Sequence, residues 1–277
     1  MNDRAKTLPK TMSIEPQPTP EFSVTVSEPI VAPPSPDKPA LIAPLWHTAA
    51  LIAILFANSY LTAKSLPKLA AGGSQKVRVL EYLFTIGWEL VLLLIVWFGI
   101  RLRGVTLREL IGGRWKRVED FLIDVAIAGA GVVAAYIVVG IVSYLLGLAK
   151  PERIAEARKL ADMLAPDSLK LLAIFVLLSI FAGFIEEILF RGYLQKQFAA
   201  LTGKAYLGLL IQAAVFGLGH GYEGWQRMVA ICCLGCFFGI LALLRRSLRP
   251  GMMAHALFDS LQGLGLYALK KGLLRVP

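Results

Sequence analysis

Charge is the first thing this sequence has little of: Asp, Glu, Lys and Arg make up 17% of it, against 56% apolar residues. Soluble domains carry nearer a quarter charged residues, so this chain cannot build a water-facing surface all round. Cysteine is scarce too, with three copies, Cys232, Cys233 and Cys236, in one apolar run. That placement excludes a disulfide framework. Cys233 and Cys236 have a CxxC spacing, but a redox pair needs an accessible helix N-terminus to activate its thiol. The run reads instead as mid-membrane packing, and Gly235 and Gly239 add the small-xxx-small spacing of a close helix contact. Residues 1–40 also lack the apolar stretch of a cleavable signal peptide, so the first apolar run is expected to act as its own insertion signal.

The formal net charge of +10 raises the question of an anionic partner. Most Lys and Arg residues lie in short connectors between apolar runs, where cytoplasmic loops and lipid headgroups account for them. No basic face alternates with aromatics and no nucleic-acid module is present, so a nucleic-acid partner is not expected. The lipid bilayer is.

Residues 1–40 hold nine prolines among Ser, Thr and acidic residues. This is the composition of a disordered, partly extended tail. Seven apolar runs follow, at about 41–63, 79–100, 121–148, 168–197, 205–220, 228–245 and 251–269. Most approach the 20 or so residues needed to cross a hydrocarbon core. The fifth is short and the fourth carries charge near its end, which leaves eight spans open. The expected architecture is all-α: a polytopic transmembrane bundle of seven to eight spans around a polar intramembrane cavity. Its parts are the tail (1–40), three spans (41–148), an interfacial connector (149–167) and a catalytic helical domain (168–277). Basic residues in the connectors 101–120 and 245–249 place the N-terminus in the cytoplasm and the C-terminus outside.

Polar groups inside the last spans are costly, and such groups usually face an internal cavity. Apolar stretches precede or surround Glu186, Glu187, His220, His255 and Asp259. Residues four apart share a helical face, so Glu187 pairs with Arg191, while Glu186 points about 100° away. Glu186 is then free to face a cavity and serve as a general base. His255 precedes Asp259 by four, a spacing that lets the carboxylate hold the imidazole in one tautomer. His47, near the mouth of the first span beside Trp46, reads as an interfacial residue. Glu89 and Asp124 read as helix-end or interhelical polar contacts, with lining of the same cavity as the alternative.

In these residues the chain resembles the CAAX protease and bacteriocin-processing family, also called the type II CAAX prenyl endopeptidase or abortive-infection family. The resemblance rests on Glu186-Glu187-x-x-x-Arg191, Phe216-x-x-x-His220 and His255-x-x-x-Asp259, in that order, over about residues 168–269. It implies a multi-pass intramembrane endopeptidase, here expected in a bacterial inner membrane, acting on a membrane-embedded or lipidated substrate. The substrate would be a prenylated Cys-a-a-X tail or a bacteriocin or leader sequence. By resemblance Glu186 and His220 activate a water, His255 and Asp259 stabilise the oxyanion, and Glu187 and Arg191 support the site. An ionised Asp259 cannot donate to an oxyanion, so donation falls to His255 and orientation to Asp259. The rival chemistry is zinc held by Glu186, His220 and His255 with one position open to water. The expectation is therefore no cofactor, or Zn2+. Two other functions compete: a non-catalytic immunity or scaffold protein of the same fold, and a proton-coupled transporter. The transporter predicts internal inverted repeats, which the sequence does not show.

Overall fold

The structure is a computed structural model describing residues 40–72, 75–148 and 165–274, together with 150 and 152. The tail 1–39 and most of the connector 149–167 lie outside the described residues, and so do the expectations for them. Nine α-helices follow in order: α1 (Leu45–Gly72), α2 (Gln75–Arg101), α3 (Leu107–Ile111), α4 (Val118–Leu145), α5 (Leu169–Glu186), α6 (Gln195–Thr202), α7 (Ala205–Gly219), α8 (Trp225–Arg245) and α9 (Arg249–Lys270). A π-helical stretch, Glu187–Leu194, joins α5 to α6 without a break, and a 3-10 turn, Gly221–Glu223, joins α7 to α8. No strand occurs among the described residues.

Each of the seven expected spans corresponds to a helix. Five segments are long and apolar enough to cross a membrane by length and composition: Leu45–Ser65, Gln75–Arg101, Val118–Leu145, Leu169–Thr202 and Trp225–Arg245. The two that fall short are α7, with 15 residues, and α9. They fall short for a reason, since α7 ends at His220 and α9 carries His255 and Asp259. Polar side chains at the site lower the very hydropathy that marks a span.

Much of the surface is apolar, with Phe84 at 74% and Leu244 at 78% exposure. Water does not tolerate a continuous apolar exterior of this kind, whereas lipid does. Local signals begin and end the helices. Thr106 and Glu109 close a reciprocal cap on α3, Ser168 accepts from the Leu171 amide to start α5, and Pro250 sits in the first turn of α9, where its missing N–H costs nothing.

Two apolar clusters sit on either side of the site. One joins α1 and α2 to the π-helix through Leu51, Leu92, Val96, Leu189 and Tyr193. The other joins α4, α8 and α9 through Val132, Leu234, Phe238, Ala254 and Phe258. The seam between α5 and α9 closes at Gly183, where an added Cβ would lie 2.7 Å from Ala256 Cα. Backbone cannot yield as a flexible side chain can. Gly183→Ala is therefore expected to cost about 1–3 kcal/mol and to lower the thermal unfolding midpoint in detergent or nanodiscs. The expected close contact at Gly235 is present: an added Cβ there would meet Ala213 Cα of α7 at 3.0 Å.

His47 is not interfacial. It is 3% exposed, with Nε2 2.9 Å from the Ile95 carbonyl and Nδ1 2.8 Å from the Tyr193 hydroxyl. The arrangement fits Nε2–H donating to α2 while Nδ1 accepts from Tyr193. Thr48 continues the chain to Tyr193 at 2.9 Å, and the Gln197 amide donates to Thr48 at 3.0 Å. The network fastens α1 to the segment that follows Arg191.

Candidate active site

The three motifs come from α5 and the π-helix, the end of α7, and α9. Gly183 lies one turn before Glu186 and Glu187, and Ala256 follows His255, so the close seam brings these groups together. All eight residues of the π-helix are buried. Its geometry shows in the Gln195 amide, which donates to Phe190, five residues back. Such stretches are rare and often occur at functional sites.

Glu187 is the hub. Its Oε1 lies 3.0 Å from Arg191 Nη1, with both side chains fully buried. The same oxygen lies 3.2 Å from His255 Nδ1. An ionised carboxylate only accepts, so Nδ1 carries the proton and donates. Glu187 thus pairs with Arg191 as the helical spacing predicts, and it also orients His255.

The expectation that Asp259 holds His255 needs correction. Asp259 Oδ2 stands 3.7 Å from His255 Nε2, beyond hydrogen-bond length, and Glu186 Oε2 stands at 3.8 Å from the same nitrogen. The four-residue spacing brought Asp259 near the ring, but a shorter contact from another helix took the orienting position. Nε2 therefore faces two carboxylates.

Glu186 is partly exposed and makes no hydrogen bond to a described residue. His220 caps α7, with Nδ1 2.8 Å from the Phe216 carbonyl. That fixes Nδ1 as the donor and leaves Nε2 with its lone pair. The charges of His255, Glu186, His220 and Glu223 all act on Asp259, which gathers the motif residues into one electrostatic neighbourhood.

Aromatic rings fix the remaining contacts. Phe238 stacks on His255 at 5.0 Å. Phe216 lies edge-on to His220 at 4.9 Å, while the Arg191 guanidinium sits 4.5 Å from the Phe216 ring centre. Phe216, Arg191 and the two histidines are thus one packed unit, and the Phe of the second motif acts as its spacer. Phe238 was not singled out from the sequence, because Cys236-Phe-Phe238 reads like any apolar run. Just outside the spans, Tyr222 has its ring 6.0 Å from His220. Burial first, then the nearby Glu223, Glu186 and Glu89 carboxylates, raise its phenol well above the ordinary value, so it remains a donor at neutral pH.

The two other polar residues in the spans part company. Asp124 sits in a separate cluster, accepting from Trp115 Nε1 at 2.8 Å and pairing with Arg245 at 3.0 Å and Arg249 at 3.4 Å. Glu89 instead lies buried within electrostatic reach of Glu186.

No group of three or more His, Cys, Asp or Glu side chains among the described residues is arranged to hold a metal ion. Glu186, His220 and His255 are neighbours without forming a ligand set as they stand. Around His255 Nδ1 the preferred partner is Glu187, with Oε1 already shared with Arg191.

Compared with known families, residues 168–261 match the type II CAAX prenyl endopeptidase Rce1-like family. This segment belongs to the Rce1-like family. The match includes all six motif residues and ends a little short of the 269 expected from the motifs alone. No curated protein and no solved structure matches the chain. The Rce1-like segment makes the coarse identity that of a membrane protease, with α5 to α9 as the family part and α1 to α4 outside the matched region.

Proposed function

We propose that the chain is an intramembrane endopeptidase that hydrolyses a peptide bond of a membrane-associated substrate with a water activated by Glu186 and His220. The observation that carries this reading is the Glu187 carboxylate, which holds Arg191 at 3.0 Å and His255 Nδ1 at 3.2 Å and so presents Nε2 toward Glu186.

In the reaction, Glu186 takes one proton from the water while His220 Nε2 accepts a hydrogen bond from the same water. The resulting hydroxide attacks the scissile carbonyl carbon. The carbonyl π-electrons move onto oxygen, where His255 as an imidazolium donates from Nε2–H. Collapse breaks the C–N bond, and the Glu186 carboxylic acid returns its proton to the leaving amine. Glu187 and Arg191 hold His255 in place, and Asp259 adds negative charge beside the imidazolium.

The test is incubation of the reconstituted protein with prenylated and leader-type peptides, followed by mass spectrometry of the products. Activity is expected to survive exhaustive chelation, with metal analysis of the pure protein showing no stoichiometric zinc. Loss on chelation with full recovery on adding zinc would assign the chemistry to a metal held by Glu186, His220 and His255. A protein with intact fold that cleaves nothing would favour the scaffold or immunity role.

A further inference from the structure

Glu89 belongs to none of the motifs and lies outside the matched segment. It shares the buried face of α2 with Tyr82, Ile86, Leu92 and Val96. The residue is 6% exposed, and its Oε2 is buried without a hydrogen-bond partner. The carboxylate is close enough to Glu186 for the two to repel, and both act on the Tyr222 phenol. An acceptor without a donor is therefore directed at the side of the site where the base stands.

The balance of charge around it is one-sided. Glu187 is matched by Arg191, and Glu223 by Arg227 at 3.7 Å. Glu89, Glu186 and Asp259 form no ion pair with a described Lys or Arg, and only histidine faces them. A buried acceptor gains from any donor supplied to it, whereas an anion placed beside these three groups meets repulsion.

We propose that Glu89 Oε2 accepts a hydrogen bond from the substrate, given by an amide, carboxamide or ammonium beside the scissile bond, and that this wall rejects a substrate whose own carboxylate must lie there. The inference rests on the peptidase reading and narrows it. It sets an internal or leader-type bond ahead of one within reach of a free C-terminus.

Two S-prenylated cysteine peptides test it, identical except that one ends three residues after the cysteine in a carboxylate and the other in a carboxamide. Binding is measured by fluorescence anisotropy on ice with the full chain in zwitterionic nanodiscs, and cleavage by mass spectrometry on warming. The carboxamide is expected to bind at least about tenfold more tightly, with the gap narrowing severalfold in Glu89→Gln. Equal affinity, tighter binding of the carboxylate, or no binding of either peptide overturns the inference. A gap that is unchanged in a folded Glu89→Gln protein overturns the role of Glu89. Should that variant not fold, the wild-type comparison decides alone. Preferential binding without cleavage of either peptide supports the inference and counts against the peptidase reading.

Discussion

Glu186→Gln is expected to abolish peptide cleavage while leaving the protein folded. Glutamine keeps the size and the polar atoms but cannot take a proton from water. Loss of a positioned general base lowers rates on the order of 10² to 10⁴-fold. The fold has little stake in this carboxylate, because Glu186 is partly exposed and forms no hydrogen bond with the described residues. The thermal unfolding midpoint should stay close to that of the wild type, and substrate binding should persist. A variant that cleaves at wild-type rate would remove Glu186 from the role of base. One that unfolds would show that the carboxylate is structural.

Arg191→Leu has the opposite signature. Arg191 and Glu187 are both fully buried, so removing the cation leaves an uncompensated carboxylate in the interior. Breaking a buried pair in this way costs about 3–5 kcal/mol, which is a large share of a typical domain's stability. Denaturant or thermal unfolding in nanodiscs reads it directly. Replacing both partners, as Arg191→Leu with Glu187→Leu, should recover much of the stability because no buried charge remains unpaired. Activity should not return with it, since His255 then lacks its acceptor at Nδ1. Stability without activity in the double variant separates the two duties of Glu187. Equal recovery of both would mean that His255 is held by something else.

Much of the fold was legible because its causes are local. Apolar runs marked every helix that crosses the bundle, and the four-residue spacing of Glu187 and Arg191 gave their pair. The site was legible in its members more than in its contacts. His255 and Asp259 share a helical face, yet the shorter contact came from Glu187 on another helix, 68 residues away in sequence. Spacing within one helix carries no information about which neighbour packs against it. His47 escaped for the same reason: its partners, Tyr193 and Ile95, lie far along the chain. Beside Trp46 it resembles an interfacial residue, and only the packing of α1 onto the π-helix buries it. Glu89 looked like an ordinary helix polar contact because nothing in α2 announces Glu186 across the interface.

The π-helix carries a consequence for chain length. A stretch bonded five residues back holds more residues per turn than an α-helix covering the same axis. Removing one residue between Glu187 and Arg191 would let the backbone return to bonding four residues back. It would also turn every later position by about 100° relative to α5. Arg191 would leave Glu187, and Tyr193 and Gln197 would swing away from His47 and Thr48. Single-residue deletions here should thus be far more damaging than substitutions at the same positions, and an insertion on one side might be expected only to compensate a deletion on the other. Residue number between 187 and 194, rather than residue type alone, sets which side chains meet.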